Sequence, residues 1–199
     1  MTHIAILTFD GFNELDSIVA LGILSRVRKN DWRVSLASPT PSVTSMNGMT
    51  VQAQCTLDDA NAADAVIVGS GIKTRDIAND TALMSTLRLD PQRQLIAAQC
   101  SGTLLLAKLG LLGALPACTD LTTKPWVQEA GVEVLNQPFV AHGNVATAGG
   151  CLASQYLAAW LLARLLGREA ATAALHYVAP VGEKDACVSR ALAHVAPHL

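Results

Sequence analysis

Two periods of apolar residues alternate along this chain, and each change of period marks an element. The apolar run Ile4 to Leu7 meets the turn residues Asp10 and Gly11, beyond which Leu15, Ile18, Val19 and Gly22 to Leu24 share one helical face. The spacing predicts a strand that feeds a helix. Trp32 to Ala37 reads as a second strand, and the β-like runs Ser42 to Thr44 and Met49 to Ala53 flank Ser45 to Gly48 as a hairpin would. Ala65 to Val68 ends at Gly69, Ser70 and Gly71, and Thr81 to Leu89 then has helical spacing. Gln94 to Gln99 is a buried strand followed almost at once by an apolar helix over Thr103 to Leu112.

Pro138 to Ala141 and Val145 to Thr147 pair through His142, Gly143 and Asn144. A long helix runs from about Leu152 to Leu166, where Gly167 stops it. Strands alternating with helices predict an α/β fold with a mostly parallel sheet covered on both faces. No repeat, low-complexity tract or linker interrupts the pattern, so residues 1–199 are expected to form a single domain.

Composition narrows the function. Apolar residues make up 51% and charged ones only 15%, which supplies a large core and excludes disorder. The formal charge of −2, with Lys and Arg scattered singly, offers no stripe for phosphates, so a nucleic-acid partner is not expected. The apolar windows are broken by Lys108 and Arg164 and fall short of the roughly 20 residues a bilayer crossing needs. The start of the chain lacks the basic and long apolar stretches of a signal peptide, which leads to the expectation of a cytoplasmic protein. Five widely spaced cysteines suggest neither a disulfide framework nor a zinc motif.

Chemistry concentrates at Cys100. Only Cys100, Ser101 and Gly102 separate a buried strand from the helix after it, the layout of a nucleophile elbow. A thiol there faces the positive end of the following helix, which favours thiolate. The alternative is an ordinary buried cysteine acting as a small hydrophobe. Gly69, Ser70 and Gly71 follow a neighbouring strand and can aim backbone N–H groups at the same point, although such a stretch also serves as a tight turn. Asp16 sits one helical turn past the first strand, placed either as an acid and base for the thiol or as the third helical residue of a capping box begun by Asn13.

These segments together resemble the DJ-1/PfpI superfamily, within the flavodoxin-like, class I glutamine amidotransferase-like fold. The resemblance is carried in order by Glu14-Leu15-Asp16, Val68-Gly69-Ser70-Gly71, Ala98-Gln99-Cys100-Ser101-Gly102, Leu121 to Trp126 and Thr147-Ala148-Gly149-Gly150-Cys151. It implies a three-layer sandwich and, because the acid is Asp16 and because of the segment Tyr177 to Pro180, is closest in pattern to isocyanide hydratases. On that resemblance Cys100 would attack the isocyanide carbon, Asp16 would move the proton, and water would release an N-substituted formamide. Ser101, Gly69, Ser70 and Gly71 would line the oxyanion and substrate site, with Ser101 and Gly71 as donors.

Three positions depart from that pattern. Ser101 replaces a common threonine, the glycine loop lacks its usual paired glycines after proline, and Lys124 stands where many relatives carry histidine. The last departure removes a Cys–His pair and turns the reading away from peptide hydrolysis. Cys151, where relatives tend to be aliphatic, is either a packed helix-terminal cysteine or one that lines the pocket and acts as a resolving thiol once Cys100 is oxidised. The resemblance also implies a homodimer acting on a small molecule without metal or organic cofactor. Two other functions compete: a DJ-1-like redox or stress protein with an oxidisable Cys100, and a ligand-sensing module related to the sensory halves of AraC-type regulators. The latter usually continue into a helix-turn-helix region that a chain ending at Leu199 does not supply.

Overall fold

The computed structural model describes residues 1–199. β1 (Thr2–Leu7) leads into α1 (Glu14–Leu24), and β2 (Trp32–Ala37) returns beside β1 in parallel. The excursion that follows is a two-stranded hairpin, β3 (Ser42–Thr44) and β4 (Thr50–Gln52). After α2 (Leu57–Ala62), β5 (Ala65–Val68) pairs with the other side of β1. Then come α3 (Thr74–Asn79), α4 (Thr81–Thr86), β6 (Leu95–Gln99), α5 (Gly102–Lys108) and α6 (Lys124–Glu129). The chain closes with β7 (Phe139–His142), β8 (Val145–Ala148), α7 (Ser154–Leu166), α8 (Arg168–Val178) and α9 (Lys184–Val195).

The main sheet has the order β2-β1-β5-β6-β8-β7 and is parallel except for the edge strand β7. Alternation along its strands divides the interior in two. Ile4 and Ile6 of β1 enter a core shared with α1, α7, α8 and α9, whereas Ala5 and Leu7 enter one shared with α2 and α5. Trp160 of α7 is fully buried in the first core, and Leu104 to Leu106 of α5 fill the second. Burial of each such large side chain contributes roughly 1.5–3 kcal/mol. This is the three-layer α/β sandwich that the strand and helix pattern predicts. No helix is long and apolar enough to cross a membrane.

Strand order reverses between β1 and β5, because the chain leaves β1 toward β2 and later returns to its opposite flank. In open α/β sheets such a switch opens a crevice at the carboxyl ends of the strands. β1, β5, β6 and β8 run in one direction, so the segments that follow them meet at one edge.

Some elements differ from the sequence pattern. α1 buries Asp16, Ser17, Ala20, Ile23 and Leu24, whereas Leu15 and Ile18 from the expected apolar face stay exposed at 48% and 36%. The helix expected over Thr103 to Leu112 stops at Lys108, ahead of Gly110 in the left-handed region. The helix expected over Thr81 to Leu89 ends at Thr86. Helix α7 begins at Ser154, after a 3-10 turn over Cys151–Ala153.

Candidate functional site

Cys100 is the sole non-glycine residue with a positive φ, at 46°. That conformation costs on the order of 1–3 kcal/mol and persists only where its surroundings enforce it. Three contacts do so. The Cys100 N–H donates to Ala148 O at 2.8 Å, continuing the β6–β8 ladder, and Thr119 Oγ1 donates to Cys100 O at 2.8 Å. Gly102 then passes so close to β5 that a Cβ would lie 2.4 Å from Val68 O. The glycine of the elbow is therefore a packing requirement.

The glycine loop is tied to the elbow by a ring of hydrogen bonds. Gly71 N–H donates to Ser101 Oγ at 3.1 Å, the Ser101 and Thr74 hydroxyl oxygens are 2.7 Å apart, and Thr74 Oγ1 donates to Gly71 O at 2.8 Å. With the Thr74 proton committed to that carbonyl, Ser101 donates to Thr74. Gly71 was expected to offer its N–H to a reacting atom, but that N–H is engaged by the Ser101 hydroxyl. The amides of Ser70 and Ser101 donate to no protein acceptor, and neither does that of Gly102.

Asp16 is 1% exposed, and its Oδ2 accepts from the Ser70 hydroxyl at 2.5 Å. It does not close a capping box, because Asn13 N–H goes to Ser70 O and Asn13 Oδ1 caps α1 by accepting from Leu15 N–H. Oδ1 of Asp16 has no partner. Burial lifts the Asp16 carboxyl from 3.8 to about 6, against the hydrogen bond from Ser70, which favours the charged form. A buried acid that ionises near neutrality can both take and return a proton.

The thiol departs from expectation. Cys100 is 4% exposed, and burial together with the Asp16 charge drives its pKa well above the usual thiol value. The hydrogen bond from Gln99 Nε2 to Cys100 Sγ, at 3.3 Å, opposes this rise without cancelling it. A helix start alone does not make a thiolate when the site is dry and a carboxylate stands beside it. Above about pH 6 the pair therefore holds one proton, on the Cys100 sulfur, beside a charged Asp16.

Cys151 completes the cluster. Its Sγ, the Cys100 Sγ and an Asp16 carboxyl oxygen all lie within 4.8 Å of one another. Asn13 Nδ2 donates to Cys151 Sγ at 3.1 Å, and Gln99 Nε2 reaches both Cys100 Sγ and Gly150 O. Asn13 and Gln99 escaped the sequence reading, one taken as a cap and the other as the last strand residue. Two sulfurs and a carboxylate form a donor set for a thiophilic cation such as Zn²⁺.

No imidazole approaches this cluster. His3 bonds Ser35 Oγ, His142 bonds Pro116 O, His176 faces Asp185, His194 tilts against Tyr156, and His198 bonds Ala141 O. His194 and His198 are half-buried in these contacts. Lys124 lines a cleft with Thr119, Asp120, Gly149 and Gly150 beside the elbow.

The sequence profile of the DJ-1/PfpI family, matching residues 2–164, decides the relationship. The chain belongs to the DJ-1/PfpI family. Solved structures agree on the fold. Schizosaccharomyces pombe DJ-1 superposes with a TM-score of 0.75 at 17% identity, covering 90% of this chain and 100% of that one. A cysteine-to-alanine mutant of a DJ-1 superfamily protein from Salmonella typhimurium gives 0.76 at 26% identity, covering 89% and 98%. Oxidized Toxoplasma gondii DJ-1 gives 0.75 at 19% identity, also covering 89% and 98%. A comparison with curated protein sequences finds no match.

Proposed function

We propose that this DJ-1/PfpI protein is a hydratase that adds water to a slim, neutral electrophile of the isocyanide type, with Cys100 as nucleophile and Asp16 as proton carrier. One observation carries the reading: a buried carboxyl that ionises near pH 6 adjoins a nearly enclosed thiol, with no imidazole in the cluster. Peptide or amide cleavage calls for an acid that protonates an amine leaving group, a task commonly given to histidine. Hydration of an isocyanide expels no group from the substrate, so one carboxyl suffices.

The atoms balance as follows. Ionised Asp16 takes the Cys100 proton while sulfur bonds to the terminal carbon, and the carbon then recovers that proton to give a thioimidate. Asp16 next takes a proton from water as its oxygen adds to the same carbon. Nitrogen is protonated, the carbon–sulfur bond breaks, and an N-substituted formamide leaves with the thiol restored. The free amides of Ser70 and Ser101 are suited to developing negative charge, and Gly69 and Gly71 shape the loop that holds Ser70. The near-complete enclosure of Cys100 favours a slim reacting head, while Leu15, Ile72 and Leu152, exposed next to Asp16, Gly71 and Cys151 in the chain, give a neutral apolar substituent somewhere to rest.

The test is turnover of aliphatic and aromatic isocyanides, followed as formamide production. The Cys100→Ala variant should lose all activity, and Asp16→Asn should lose roughly 10²–10⁴-fold. Absence of turnover across both substrate classes would sink the hydratase.

A further inference from the structure

The hydration chemistry leaves one member of the cluster without a task. Cys151 takes no part in it, yet its sulfur lies within 4.8 Å of both the Cys100 sulfur and the Asp16 carboxyl. It is more open than Cys100, being half-buried, and sits on the 3-10 turn that follows Gly150, itself in the left-handed region. The amide of Asn13 donates to its sulfur, and the amide of Gln99 donates to that of Cys100. Each sulfur is therefore held by a separate neutral donor, and a carboxyl oxygen of Asp16 belongs to the same cluster.

We infer that Cys100 and Cys151 form a redox pair which a hydroperoxide converts to an intramolecular disulfide. In the first step the Cys100 sulfur attacks the outer peroxide oxygen and the O–O bond breaks. The thiol proton passes through Asp16 to the departing oxygen, giving a Cys100 sulfenic acid and one alcohol or water. In the second step Cys151 attacks that sulfenic sulfur, the S–O bond breaks, and the Cys151 proton leaves with the hydroxyl as water. The peroxide is reduced by two electrons, and the two thiols are oxidised by two. A small dithiol reverses the change by thiol–disulfide exchange.

The geometry favours this outcome over deeper oxidation of Cys100. A disulfide requires the sulfurs to close to about 2 Å, and rotation about the side-chain torsions of adjacent cysteines supplies such movement without unfolding a strand. A sulfenic acid that meets a neighbouring thiol condenses with it before a second peroxide arrives. Of the remaining cysteines, Cys55 is buried with its thiol against Ser35 Oγ, Cys118 is buried, and Cys187 lies on α9 next to Arg190.

The inference goes beyond hydration and does not need it, since its readout is the state of the thiols. The whole protein, freed of metal with a chelator, is treated with a slight excess of hydrogen peroxide, and unreduced peptides are mapped by mass. The expected product is two hydrogens lighter and links the peptides of Cys100 and Cys151, and dithiothreitol reverses it. In Cys151→Ser the same treatment should yield at least about tenfold more Cys100 sulfinic acid, because nothing intercepts the sulfenic acid. Wild-type protein carrying a Cys100 sulfinic acid beside a free Cys151, a disulfide to another cysteine, or an unreacted pair would overturn the inference. So would a Cys151→Ser variant that oxidises no differently from wild type.

Discussion

Asp16 shows how burial decides the behaviour of a single side chain. Its carboxyl ionises at about 6 in the folded protein against 3.8 in the open chain, so the fold prefers the neutral form. The stabilisation from that preference is fully present below 3.8 and is lost as pH rises through about 6. Complete ionisation removes about 3 kcal/mol. Urea unfolding at about pH 5 and about pH 8 should therefore show wild type losing stability relative to Asp16→Asn, which has no charge to bury. If the two proteins keep a constant difference across that range, Asp16 is not the responsible group. On the hydratase reading, the same ionisation makes kcat/KM rise with pH through about 6, since the carboxylate must receive the thiol proton.

At the scale of the element, the elbow depends on what packs behind it. A methyl group on Gly102 would meet Val68 O at 2.4 Å and Gly69 O at 2.9 Å, both backbone atoms of a neighbouring strand and loop that cannot swing aside. Gly102→Ala is expected to cost about 1–3 kcal/mol or more in urea unfolding and to change the alkylation rate of Cys100, because β5 and the elbow must separate. An alanine variant as stable as wild type would refute the close-approach argument. The elbow was legible in sequence because two apolar elements left only three residues between them. The hydroxyl ring through Ser101, Thr74 and Gly71 was not, since Thr74 lies in a helix that the apolar pattern did not reveal.

For the whole molecule, α1 raises a question of cover. Ile23 and Leu24 of its expected apolar stripe are buried, but Leu15 and Ile18 stay exposed, and Leu152 after Cys151 is 61% exposed. Exposed apolar side chains of this kind suit the proposal, drawn from the family resemblance, that the chain pairs with a second copy. Sedimentation should then report twice the chain mass, and Ile18→Glu should shift the equilibrium toward the single chain. A wild-type protein that sediments as one chain at all concentrations would end that proposal.

The sequence by itself determined the alternation of strands and helices, the parallel sheet, the abrupt bend at Cys100 and the motif order that marks the family. All of these rest on local period, turn chemistry and spacing, which a linear chain displays. Only the tertiary structure decided which face of α1 is buried, that Asp16 bonds Ser70 rather than capping its own helix, and that the Gly71 amide is already engaged. It also decided that the thiol's pKa rises rather than falls, because desolvation and a neighbouring charge are set by segments far apart in sequence that meet only at the carboxyl edge of the sheet. Asn13 and Cys151, separated by most of the chain, touch there for the same reason.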